Sequence, residues 1–167
     1  MDVAFADHKI DSRYFKTFQT VWVANKAAVT PRGTLTVGKD TAIWMPRDAI
    51  TPERRAAFKG VIFEKSQYLP NVYPSMSKYD DPSRPQVNDA STRALVMFKF
   101  SEVYLIAAEA AFKTGQNDKA ADMINVLRRR AAWKSTNSAD QNTADAEAMA
   151  INPADVTLDF ILDERTR

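Results

Sequence analysis

Residues 99–132, KFSEVYLIAAEAAFKTGQNDKAADMINVLRRRAA, decide how the rest of the chain is read. Phe100, Val103, Tyr104, Ala107, Ala108 and Ala111 recur at three- and four-residue steps, which places them on one face of a helix. Gly115 ends that helix, because a residue without a Cβ enters the left-handed conformation at no steric cost. Asn117 is then positioned to cap a second helix, with Asp118 and Asp122 early in it. Ala120, Ile124, Leu127 and Ala131 share one face of that second helix. The small residues Ala108 and Ala120 let the two helices approach closely as an antiparallel pair. Tyr104, Ala108, Ala111, Gly115, Ala120, Ile124 and Leu127 fit the spacing of a tetratricopeptide repeat, a unit of about 34 residues. Its usual closing proline is missing, since Ala132 and Trp133 stand there. A stack of such units needs about three copies for stability, and the sequence holds no second copy.

Working outward, 134–152 is rich in Ala, Ser, Thr, Asn and Asp without an apolar period. It reads as a mobile insert with one turn near 145–149. Asp155 is placed to cap a final helix whose apolar contacts come from Val156, Phe160 and Ile161, with Leu158 and Leu162. Upstream, Pro70, Pro74, Pro82 and Pro85 punctuate a long surface loop over 69–92, and 93–98 enters the first long helix as an extended segment. Thr51-Pro52-Glu53 opens a short helix through about Phe58, Gly60 ends it, and 61–63 reads as a strand. Residues 35–37 and 41–45 flank Gly38-Lys39-Asp40 as a small hairpin, and 13–23 reads as strand. The fold class is mainly α, with small β-hairpin elements and long loops.

Composition excludes several functions. At 167 residues and 45% hydrophobic content, the chain suffices for one globular domain burying roughly 70% of its unfolded surface. A net charge of +2 gives no reason to expect nucleic acid, and Arg128-Arg129-Arg130 reads as cations stabilising a helix C-terminus. There is no cysteine, so disulfides and thiol chemistry are out. No run is long enough to span a bilayer, and Met1-Asp2-Val3 begins no signal peptide.

Catalysis has little to build from, and no cofactor or metal is expected. The single histidine, His8, lies near a terminus expected to fray, leaving no second one for a triad or zinc site. The glycines are too scattered to cradle phosphates. Glu102 and Glu109, two turns apart, lie about 10 Å from one another by helical rise. Glycosidase carboxylates sit about 5 to 9.5 Å apart, so these two are expected to bond backbone and basic groups instead. Asp80-Asp81 lacks the further ligand spacing of a calcium loop.

The stretch from Phe98 to Ala132 resembles the central signature of the SusD/RagB outer-membrane nutrient-binding lipoproteins. That family typically shows an EVYL-like run, AEA, a Gly turn and an N-x-x-R-x-R-A ending. Here Glu102, Val103, Tyr104, Leu105, Ala108, Glu109, Ala110, Gly115, Ala120, Asn125, Arg128, Arg130 and Ala131 stand at matching positions. DSRYFKTF at 11–18, YPSMSKYDD at 73–81 and LDFILDERTR at 158–167 are similar to segments flanking that signature. Lys99 departs from it, replacing an arginine and losing the planar fork. The resemblance implies one SusD/RagB-like C-terminal region over 1–167, read as a fragment without the family's N-terminal repeats and C-terminal tail.

The resemblance further implies capture of an oligosaccharide or other nutrient at the bacterial outer-membrane surface, without catalysis. The partner would be a SusC-like TonB-dependent transporter, and the membrane would be reached only through an anchor absent from this chain. A sugar offers apolar faces that stack on aromatic rings and hydroxyls that need amides or charges. Candidate binding residues are therefore Trp22 with Asn25, Trp44 beside Arg47, Tyr68 with Asn71, and Tyr73 and Tyr79 in the proline-rich loop. Trp133 is expected to pack over the end of the repeat. The alternative function is a tetratricopeptide-type module for a peptide or partner protein.

Overall fold

A computed structural model describes residues 4–78, 80–86 and 89–167. The chain divides into two compact units, Phe15–Asp80, and Met1–Tyr14 together with Asp81–Arg167. Among the described residues the protein is mainly helical with short strands, as the sequence predicts.

The unit Phe15–Asp80 carries the strands. Helix α1 (Arg13–Thr17) leads into β1 (Phe18–Gln19) and β2 (Val21–Val23), followed by β3 (Ala28–Thr30), β4 (Gly33–Leu35) and β5 (Thr41–Trp44). Helix α2 (Pro52–Ala57), β6 (Val61–Ile62) and β7 (Ser75–Met76) complete it. The strand expected over 13–23 is thus half helix. Its first turn is started by Asp11, whose carboxylate accepts the Arg13 N–H at 2.9 Å.

The expected hairpin about Gly38 does not form, although both of its strands exist. The Thr36 N–H donates to the Asp40 carboxylate at 2.8 Å while the Asp40 N–H returns to the Thr36 carbonyl at 3.0 Å, making a tight local turn. That leaves β4 to pair with β3, as the true hairpin, and β5 to pair with β2. On its other side β5 meets β6 in parallel, so the three-stranded sheet runs β2-β5-β6. Gly60 permits this approach, because a Cβ there would collide with the Thr41 and Ala42 carbonyl oxygens. Thr51 caps α2 through its side chain with Pro52 in the first turn, as expected. The long loop contains one short strand, since β7 pairs antiparallel with β1.

The second unit is built on α3 (Phe100–Lys113) and α4 (Asn117–Ala132), the helix pair predicted around Gly115. Gly115 has φ 74°, its N–H reaches the Phe112 carbonyl at 3.0 Å, and the Gln116 N–H reaches that of Ala111 at 2.9 Å. This is the Schellman closure of a helix. The cap of α4 is Gln116; Asn117 lies inside the first turn instead. Ala108 and Ala120 are both fully buried, and with Ala121, Ile124, Val156 and Ile161 they form one buried cluster, with Ala131, Ala132 and Met149 in another.

The buried face of α3 differs from the expected one. It runs through Leu105, Ala108, Ala111 and Phe112, whereas Phe100 is 73% exposed and Val103 and Ala107 are also exposed. The helix is apolar on more than one side, and α4 covers only the side that Ala108 occupies.

Residues expected to form a mobile insert fold as α5 (Ala139–Ala148), three turns begun by Ser138, whose side chain accepts the Gln141 N–H at 3.1 Å. Its polar residues are used internally: Asp145 is buried and accepts from Asn137 and Gln141 at 3.0 and 2.7 Å. The last helix, α6 (Leu158–Thr166), is capped by Thr157. Asp155, the expected cap, closes a preceding 3-10 turn over Pro153–Asp155 instead. Val156 and Ile161 are buried as predicted.

Candidate functional site

The residues that carry the signature hold the second unit together. Glu164 on α6 is almost fully buried, and its two oxygens accept separately from Arg13 at 2.6 Å and Arg128 at 3.0 Å. Arg128 also donates from Nε to the Met149 carbonyl at 2.5 Å and lies 5.5 Å from the Phe160 ring centroid. It is therefore a buried clamp, and only Arg129 and Arg130 of the expected terminal cations face solvent. Asn125 closes the same segment, donating to the Ile151 carbonyl at 3.0 Å and accepting the Ile151 N–H at 2.9 Å. The N-terminal stretch joins through Ser12, whose N–H and hydroxyl both donate to the Ala131 carbonyl. His8, expected at a fraying end, is buried edge-on to Tyr14 with ring centroids 6.0 Å apart.

Charge in this cluster is balanced by geometry. Burial alone would raise the Asp11 carboxyl, but hydrogen bonds from Arg13 and the charges of Arg13 and Arg167 hold it below the usual carboxylate value. Burial opposes the Arg167 guanidinium and, with the repulsion of Arg128 and Arg13, lowers it despite Glu164 and Asp11. Glu102 and Glu109 reach basic groups as expected: Arg165 lies 3.0 Å from Glu102 and 3.4 Å from Glu109, and Lys113 donates to Glu109 at 2.6 Å. The Asp81 carboxylate accepts from Ser83 and Ser91 hydroxyls, which pull it well below its ordinary value. It organises its own loop. No group of three or more His, Cys, Asp or Glu able to hold a metal occurs among the described residues.

The candidate aromatics lie in the unit Phe15–Asp80. Leu69 and Val72 exchange N–H···O bonds across Pro70-Asn71, at 3.0 and 2.9 Å, making a tight turn with Asn71 exposed at its tip. Tyr68 enters this turn half-buried, and Tyr73 leaves it 56% exposed. Pro74 is buried and β7 follows at once, so the Tyr73 backbone is fixed on both sides. Tyr68, Asn71 and Tyr73 are thus gathered on one loop. Tyr79 lies outside the described residues.

The two sheet tryptophans are not brought together. Trp22 stands opposite Ile43 while Trp44 stands opposite Val21, so the pleat sends them to opposite faces. Trp44 packs against Phe58 at 5.6 Å, and the cation over its ring is Arg54, at 4.7 Å. The Trp44 ring is thus held between two neighbours and half-buried. Trp22 is half-buried, and Asn25 is exposed. A separate concavity of about 380 Å³ is lined by Val29, Pro31, Arg32, Arg55 and Lys59. Arg55 in it pairs with Glu64 at 2.6 Å, and Lys59 with Asp40 at 3.2 Å.

Trp133, expected over the end of the helix pair, follows the last turn of α4 as its C-cap and is 56% exposed. The missed signal is Ser138 with Gln141 three residues on, a helix start that sets α5 beside that tryptophan.

The class defined by this arrangement is a helix-pair protein in which Asn125, Arg128 and Glu164 are internal clamps and Tyr73 stands exposed on a loop. The SusD family model matches residues 2–167, and the chain belongs to that family. No curated protein and no solved structure matched it. No helix among the described residues is long and apolar enough to cross a membrane.

Proposed function

We propose that this protein binds glycans or other nutrient oligomers at the bacterial outer-membrane surface, without catalysis, and passes them to a SusC-like TonB-dependent transporter. Family membership across residues 2–167 carries this reading. The Tyr68–Tyr73 loop supports it. An exposed phenol ring on a backbone held by Pro74 and β7 offers a stacking face that loses little freedom on binding, and the Asn71 amide beside it supplies a donor and an acceptor for hydroxyls. Affinity through such a surface is weak, about −4 to −6 kcal/mol, nearer millimolar than nanomolar. Residues 1–167 act in this reading as one SusD/RagB-like region.

A second reading, a peptide or protein interaction module, is favoured by one observation. Leu95, Val96, Met97, Phe98, Phe100, Val103 and Ile106 are all exposed, a larger apolar surface than scattered single residues provide. A glycan array run beside a peptide library tests both. Saturable binding on the array with none in the library supports the first; the reverse result replaces it with the second.

A further inference from the structure

A second concavity, of about 460 Å³, opens where α4 ends beside α5. Trp133, Arg129, Asn142, Thr143, Ala146 and Glu147 line it. Its volume falls within the range of about 300–1,000 Å³ usual for small-ligand sites. Three features distinguish it from an ordinary surface dent. First, an indole ring more than half exposed forms one wall, and the facing helix offers the small Ala146, leaving the ring uncovered.

Second, the wall is rigid. Asn142 accepts the Lys134 N–H at 2.9 Å and donates to the Lys134 carbonyl at 3.0 Å, so both backbone groups next to Trp133 are tied to α5. The Lys134 ammonium is drawn away to the Lys9 carbonyl at 2.7 Å. Third, the side chains of Arg129 and Glu147 make no hydrogen bond or ion pair among the described residues. One presents a planar fork of donors and the other two acceptor oxygens, each with its valence open toward the groove.

We propose that this groove is a second saccharide subsite, which takes a neutral pyranose ring stacked on Trp133. Its hydroxyls donate to Glu147 and accept from Arg129. A flat apolar face beside a donor and an acceptor is the complement of a pyranose, whose C–H face is apolar and whose rim carries hydroxyls. The opposite charges of Arg129 and Glu147 leave the groove without a preference for an ionic ligand. The ligand class rests on the glycan reading above; the site itself rests on Trp133 and its neighbours.

The test follows the indole N–H resonances of the three tryptophans in ¹⁵N-labelled protein during titration with maltohexaose, xylohexaose or laminarihexaose. Trp133→Phe assigns the one that matters. The Trp133 resonance is expected to shift saturably with at least one of the sugars. Arg129→Gln combined with Glu147→Gln should weaken that event about tenfold without lowering the melting temperature. A sugar that perturbs the Tyr68–Tyr73 loop but leaves Trp133 unmoved removes this subsite and keeps the glycan reading. If none of the three moves the Trp133 resonance, the subsite falls, while the glycan reading stands or falls on the array.

Discussion

Arg128 on α4 and Glu164 on α6 meet at 3.0 Å with both side chains shut off from water, and the other oxygen of Glu164 takes Arg13 at 2.6 Å. The signature arginine and the signature glutamate are thus partners of each other. Their sequence pattern reports a packing requirement.

Removing one member of a buried ion pair leaves the other uncompensated, at a typical cost of about 3–5 kcal/mol. Glu164→Gln keeps the shape and removes the charge facing three guanidinium groups, those of Arg13, Arg128 and Arg167. We expect a drop of that order in unfolding free energy, read from the denaturant midpoint at unchanged slope. A loss under about 1 kcal/mol, the range of exposed pairs, would mean the cluster is solvated in solution.

Asp11 gives the pH dependence its sign. Its folded pKa lies below the ordinary carboxylate value of about 3.9, so its contribution to stability is complete above that pH and is lost as pH falls through the folded value. Thermal melts at descending pH should show Asp11→Asn less acid-sensitive than wild type below about pH 4. Parallel curves for the two proteins would remove Asp11 from the acid transition.

Gly115 stands at φ 74° with open space around its Cβ position, so substitution there tests backbone strain alone. Gly115→Val is expected to cost about 1 kcal/mol or more, because a β-branched side chain is strained in the left-handed region. A melting temperature equal to wild type would count against the Schellman closure between α3 and α4.

The helix pair was legible in the sequence because local rules set it: apolar period, small residues at the crossing, a glycine at the turn. The α2 cap and the burial of Val156 and Ile161 were legible for the same reason. Long-range pairing was not. Nothing local says that Thr41–Trp44 leaves Leu35 to join Val21–Val23, since that choice follows from Asp40 turning the chain through Thr36. Helix α5 was missed because it has little apolar stripe; buried Asp145 and its amide partners substitute for one. Among the site residues, Tyr68, Asn71 and Tyr73 share a loop as their spacing implies, whereas the separation of Trp22 from Trp44 depends on sheet register.

Calorimetry separates the residues that clamp the fold from those expected to touch a ligand. With an oligosaccharide selected on the array, Tyr73→Ala should weaken binding at least about tenfold while melting at the wild-type temperature. Asn125→Ala, which opens the clamp on Ile151, should melt lower yet keep the wild-type Kd at a temperature where it stays folded. Unchanged affinity in Tyr73→Ala, with affinity lost in folded Asn125→Ala, would contradict the account.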